Sequence, residues 1–391
     1  MINKLLIAVF VLTGMVSCAT TQLPPVGEMD ALQLQKDEKR IWNRSGEEQR
    51  RLNSSSYIYE DPVLSAYVNE VAQNLIPEDI KGKGLSFQVW IIRNPLLNAF
   101  AYPNGVIYVH TGLISKMENE AQLAALLGHE MSHVTHRHAI ENYRSVKNTT
   151  AVLATIQMAS LPFGAYGNLA NVLGTVGAMA AVTGYSRELE AEADNAGLVL
   201  LINAGYDPKE APKLFIHLKR DVEQQEKKEP FFFGTHPRLQ ERINNYNRFI
   251  KTKYPKTTGK KNAERFMNII SPLILDNAMI DLSMGRFSSA EDGIGRFLQS
   301  DPQNSRAHFC LGELYRQRND EEDREKAINE YNLSIAGDPS NPAPHKGVGL
   351  IYYKLGRYQE AKAEFEKYLS LFPNADDAAY IKQYIKAIST K

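Results

Sequence analysis

The chain has 391 residues, of which 43% are hydrophobic and 23% charged, with 45 basic side chains balancing 45 acidic ones. That length exceeds one ordinary core and predicts two or three domains with the composition of a globular protein. Zero net charge argues against a nucleic-acid partner, and two cysteines, Cys18 and Cys310, are too few for a disulfide framework.

The N-terminus reads as an export signal. Lys4 supplies a positive start, and Leu5 to Leu12 form an apolar run too short for a comfortable permanent span. Met15-Val16-Ser17-Cys18 resembles the lipobox of bacterial lipoproteins, which implies removal of residues 1–17 and acyl chains on Cys18. Ala19 does not resemble an inner-membrane retention signal. The expected location is therefore the periplasm, with a lipid anchor in the outer membrane. An ordinary secretory signal cut near Ala19 would instead give a soluble periplasmic protein.

Residues 18–56 are polar, with Pro24-Pro25 and a charged stretch from Lys36 to Arg51, and read as a tether followed by a solvated helix. After Asp61-Pro62, Leu64, Tyr67, Val68, Val71 and Leu75 recur at helical spacing. Phe87 to Ile92 is β-branched and aromatic, which predicts a strand. Ala99 to Val109 holds Pro103-Asn104-Gly105 between two apolar arms, which predicts a hairpin. A strong helix pattern covers Glu120 to Arg137.

Residues 148–186 contain no charged side chain. Pro162, Gly164, Gly167 and Asn168 divide the run, and Ala, Gly and Thr dominate it. Each half is short for a span of about 20 residues, so a buried or partner-facing helical hairpin near the active site is expected rather than a transmembrane one. Five lysines, a Pro and a Gly make 251–262 a linker by composition.

The remainder is repetitive. Ala290, Ala327 and Ala361 recur at spacings of 37 and 34 residues, as do Pro302, Pro339 and Pro373. Gly312 and Tyr315 match Gly349 and Tyr352, and Tyr331 matches Phe365. A 34-residue period with small residues at helix crossings resembles tetratricopeptide repeats. The units run over about 271–304, 305–341 and 342–375, the first degenerate, followed by a final helix. Such repeats stack into a curved array with a concave binding surface. Cys310 reads as a buried free thiol.

The chemistry lies in His129-Glu130-Met131-Ser132-His133. Four-residue spacing in a helix puts both imidazoles on one face, able to grip one zinc ion, with Glu130 beside them as a base. A catalytic site needs a third protein ligand. His136 and Ala139 exclude the metzincin pattern, so a carboxylate is expected. The best candidates lie in Ser186 to Asp194. Glu190 and Asp194 share a helix face, so that one can ligate while the other orients a histidine, and Glu188 and Glu192 point elsewhere on the wheel. Composition alone leaves Glu188 and Glu190 in contention.

The run from Gly128 to His138, the run from Ser186 to Asp194, and Thr235-His236-Pro237 with Arg242 downstream resemble the HtpX and CaaX-prenyl-endopeptidase family of zinc metallopeptidases, over about residues 60 to 250. The resemblance implies one Zn²⁺ per chain, Glu190 as third ligand and Asp194 as a second catalytic carboxylate. Asn98-Ala99-Phe100 is similar to the family's substrate-facing edge strand. By the same resemblance His236 comes within reach of the zinc, as an occluding ligand or an oxyanion-side donor, and His138 has a structural role. Arg242 is expected to brace the His236 loop, and His136 to bond backbone or solvent.

These readings define an α+β zincin-type metallopeptidase domain at 57–250, followed by an all-α tetratricopeptide-repeat domain at 263–391. The expected function is a zinc-dependent endopeptidase of the bacterial cell envelope, active in outer-membrane protein quality control. Its substrates would be unfolded or misassembled envelope proteins, and its repeats would engage the outer-membrane protein assembly machinery. The alternative is an envelope chaperone or adaptor acting through its repeats with a silent zinc site. The intact Glu130 favours the enzyme.

Overall fold

The computed structural model of the protein describes residues 23–145, 169–182, 184–224 and 238–389. Cys18, His236 and the first part of the uncharged stretch lie outside these residues. The N-terminal half comprises helices α1 (Lys36–Asn53) and α2 (Pro62–Leu75), strands β1 (Gln88–Ile92), β2 (Ala99–Ala101) and β3 (Val106–His110), and then helices α3 (Thr111–Ser115), α4 (Glu120–Thr135), α5 (His138–Ser145), α6 (Leu169–Val182), α7 (Arg187–Asn203), α8 (Glu210–Gln224) and α9 (Leu239–Lys253). Asp61 caps α2 by accepting from the Leu64 amide at 3.0 Å, with Pro62 at the first helical position, where its missing N–H is not needed.

The sheet has the order β1-β3-β2, with β3 parallel to β1 and antiparallel to β2. Gly105, at φ 91°, closes the β2–β3 hairpin. Alternation along the strands separates two cores. Val89, Ile91, Ile107 and Val109 join the main core with α2 and α4, while Phe100, Tyr102 and Tyr108 face a second cluster containing α1 and α6 residues. Helices α4 and α7 cross at Gly128 and Gly197. A Cβ on Gly128 would stand 2.9 Å from the Gly197 carbonyl, and one on Gly197 2.8 Å from Gly128 and His129 backbone atoms. That close crossing brings the two sequence runs of interest side by side.

Two segments are more ordered than their composition suggests. The expected tether and solvated helix pack onto the body from Leu23 onward. The Leu23 amide donates to Glu141 at 2.6 Å, Glu38 accepts two hydrogen bonds from Arg137, and Ile41, Ser45, Glu48 and Leu52 of α1 are buried. The lysine-rich stretch does not run as a free linker either. Residues 251–253 complete α9, Lys260 forms a bridge with Tyr206, and Lys261 reaches Glu210 at 2.8 Å. Counting lysines predicts solvation because it cannot see the buried carboxylate waiting for one of them.

The C-terminal half is a helical array: α10 (Ala263–Ser283), α11 (Phe287–Ser300), α12 (Ser305–Arg318), α13 (Asp323–Gly337), α14 (Ala343–Lys354), α15 (Tyr358–Leu371) and a final α16 (Ala378–Ser389). The repeat glycines sit where paired helices touch. A Cβ on Gly312 would lie 2.6 Å from the Tyr331 ring, and one on Gly349 2.7 Å from Phe365. Helix α10 joins the two halves. Phe266 is buried with its ring centroid 6.4 Å from that of Tyr67, Thr111 donates to Asn277 at 2.8 Å, and Arg296 of α11 donates to the carbonyls of Ser115 and Met117. The main core consequently runs without a break from the peptidase-like half into α10, α11 and α12.

Candidate active site

Helix α4 is buried along its whole length, a consequence of its nearly continuous small and apolar sequence. His129, Glu130 and His133 are each at most 2% exposed. Glu190 and Asp194, one turn apart on α7, are buried opposite them. His129, His133 and Glu190 present one donor atom each within 4.8 Å of one another, the one such group of three among the described residues. His129 Nε2 lies 3.0 Å from His133 Nε2, and the Glu190 oxygens are 3.7 Å and 3.6 Å from these nitrogens.

The donor set fits zinc. Bonds of about 2.0–2.2 Å to tetrahedral Zn²⁺ separate neighbouring ligand atoms by roughly 3.3 Å, and the observed spacings bracket that value. Two imidazoles and one carboxylate are also the chemistry of a catalytic site that keeps one position open. Glu188 is exposed and outside this group, so the structure separates the two glutamates that composition left in contention.

Behind the donors lies a carboxylate–guanidinium cluster. His129 Nδ1 stands 3.0 Å from Asp194 Oδ1. Arg242 of α9 donates to Asp194 through Nε and Nη2, the latter at 2.6 Å, and its Nη1 lies 3.1 Å from Glu190 Oε2. Tyr246 donates to Asp194 at 2.8 Å, and the Phe215 ring lies 4.2 Å beneath the guanidinium carbon. Burial pushes the Asp194 carboxyl up, but Arg242 and His129 outweigh it and hold the group well below the usual carboxylate range. Arg242 thus sits in the centre of the site; the His236 loop that it was expected to brace lies outside the described residues. Sequence spacing could not show this, because the contact joins residues 48 positions apart.

Tyr185 is a neighbour with no motif signal, whereas His138 closes the run from Gly128 that carried the resemblance. Tyr185 stacks on His133 with centroids 3.9 Å apart and planes 16° from parallel, and burial beside Glu130 and Glu190 keeps its hydroxyl protonated. His138 meets His133 edge to edge, Nδ1 to Nδ1 at 2.9 Å, and burial, with His136 close by, lowers its pKa to about 4. The His136 ring bonds the Ser132 carbonyl at 2.9 Å, a backbone contact of the kind expected for it.

Asn98, Ala99 and Phe100 are buried, and β2 is the outer strand of the sheet. The strand is covered. Helix α6 lies against it, with Tyr102 donating to the Leu173 carbonyl at 3.0 Å and Asn98 to the Ala181 carbonyl at 3.2 Å. Among the described residues no helix is long and apolar enough to cross a membrane. Cys310 is a buried free thiol, and burial pushes its pKa up to about 12.

Residues 62–249 match the family described as Peptidase family M48, and residues 275–342 and 311–386 match two tetratricopeptide-repeat families; the chain carries an M48 peptidase domain followed by tetratricopeptide repeats. Among curated proteins it is similar to the beta-barrel assembly-enhancing protease of Yersinia pestis, 32% identical over 48% of this chain and 39% of that one. The protein of the same name from Escherichia coli K12 is 30% identical over 50% and 40% of the two chains. The mitochondrial metalloendopeptidase OMA1 of Arabidopsis thaliana is 35% identical over 34% and 26%. In each case the matched stretch spans less than half of the relative's length. A solved structure of the first tetratricopeptide-repeat domain of Spaghetti (RPAP3) with a bound HSP90 peptide is 21% identical, over 31% of this chain and 90% of that one, with a TM-score of 0.28.

Proposed function

We propose that this chain is a zinc-dependent endopeptidase of the bacterial cell envelope. The observation that carries the reading is the convergence of His129, His133 and Glu190 in a buried pocket with Glu130 on the same helical turn. When bound, zinc supplies a Lewis acid that acidifies water and polarises a scissile carbonyl. Glu130 takes the proton from the attacking water and returns it to the leaving amine. Asp194 holds His129 by its Nδ1, which fixes that ring's tautomer, and Arg242 keeps Asp194 ionised in its buried place. This positioning role accounts for Asp194 without making it a second proton carrier.

The relatives' name supports protein substrates of the envelope, and we propose unfolded or misassembled outer-membrane proteins, with the repeats engaging their assembly machinery. Lipid attachment at Cys18 would hold the enzyme at the outer membrane. The test is zinc content and casein cleavage by the purified full chain beside Glu130→Gln. Stoichiometric zinc in both, with cleavage only by the native chain, is expected. Cleavage by Glu130→Gln at the native rate sinks the reading. Comparing envelope proteomes of cells carrying each form then identifies the substrates. His236 is proposed as a gate over the open metal position: His236→Ala should bind zinc more weakly yet cleave faster. An oxyanion role would instead leave zinc in place and lower turnover by roughly 10²–10³.

A further inference from the structure

Behind His133 runs a chain of polar groups that the peptidase reading does not use. Arg137, in the left-handed region at φ 61° and tied to Glu38, turns the backbone between α4 and α5 so that His138 comes back beside His133. His133 Nδ1 and His138 Nδ1 are 2.9 Å apart, and His138 Nε2 is 3.3 Å from Glu192 Oε2. His136 Nε2 is more distant, 4.0 Å from Glu192 Oε1. His138 is buried, whereas the Glu192 side chain is 47% exposed.

We propose that Glu192, acting through His138, sets the tautomer of His133 and so presents the His133 Nε2 lone pair to the metal. Both are positioning residues, and the inference rests on the zinc reading above. Its logic is a count of protons. A carboxylate only accepts, so the neutral His138 ring must carry its proton on Nε2. That leaves a lone pair on His138 Nδ1, which can face His133 Nδ1 at 2.9 Å only if the latter carries the proton. His133 Nε2 is then bare and points at His129 and Glu190. Reversing any link would place a proton where a metal must bind. His129 achieves the same result directly through buried Asp194, whereas His133 relies on a carboxylate at the surface, one ring further out.

The test uses the full chain. Long-range ¹⁵N correlation spectra of the zinc-free protein should show His133 protonated at Nδ1, and Glu192→Ala or His138→Ala should give mixed tautomers. Zinc affinity, measured by chelator competition, should fall roughly 10- to 100-fold in both. Glu192→Gln, whose amide oxygen still accepts, should stay near the native values, whereas Glu192→Leu, which keeps the bulk without an acceptor, should behave like Glu192→Ala, a split that a merely steric role would not predict. Native tautomer and native affinity in Glu192→Ala overturn the inference. A native chain that takes up no zinc defeats the zinc reading instead, and the tautomer spectra still decide the relay.

Discussion

Arg242 is in contact with two buried carboxylates, Glu190 and Asp194, so its loss leaves charge stranded out of water. Arg242→Met should destabilise the zinc-free chain by about 3–5 kcal/mol, measured by denaturant unfolding, the usual cost of removing one partner from a buried ion pair. A change under 1 kcal/mol would mean that the cluster rearranges freely. Glu190→Ala should lose zinc while Glu188→Ala retains it, and equal zinc content in both would remove Glu190 from the ligand set. The histidine pair and Glu130 were legible in the sequence because helical periodicity fixes what residues four apart can reach. Glu190 needed a family resemblance, since a helix wheel cannot rank it over Glu188 without knowing what lies opposite. On the helical wheel Glu192 lies off the face of Glu190, and it is outside the donor group. Its partner is His138, which follows a left-handed turn that the helical pattern cannot foresee.

Among elements, α6 shows how a buried charge positions a helix. Gly174 breaks it at φ 73°, and Glu48 of α1, fully buried, accepts from the amides of Thr175 at 2.8 Å and of Val176 and Gly177 at 3.0 Å each. A carboxylate at a helix start satisfies its open donors and favours its dipole. Glu48→Gln should speed exchange of those amides by about fivefold, from a cap worth roughly 1 kcal/mol, and should raise casein cleavage because α6 covers β2. Unchanged exchange would show that packing alone holds the helix. A second buried carboxylate, Glu210, pins the 259–261 segment. Burial raises its pKa, but Lys213, Lys261, Asn119 and Gln122 together lower it to about 2. A carboxyl lowered by folding stabilises above its unfolded value of about 4.3, and that contribution fades as pH falls toward 2. Melting temperature should therefore drop across this window, and Glu210→Gln should flatten the slope. The strands, the hairpin and the repeat helices were legible from periodicity and turn residues. The docked N-terminal arm and the pinned lysines were not, because each depends on partners far along the chain.

For the whole molecule, the shared core predicts shared unfolding. Phe266→Ala, in the first repeat helix, should cost about 3–5 kcal/mol and lower the melting of the His129–His133–Glu190 site together with the base of the array. Separate transitions, with only the repeats affected, would contradict a continuous core. The repeat period gave the number of helical pairs, but it could not show that α10 belongs as much to the peptidase as to the array. Beyond α12 the clusters become small and local, α13 with α14 and then α15 with α16. In mechanical terms the array is a beam built into a wall at one end. Its root cannot swivel, so a protein held near the tip would meet the His129–His133–Glu190 site at an angle set by bending along the outer helices, and a longer grip would multiply the torque on them rather than on those three side chains.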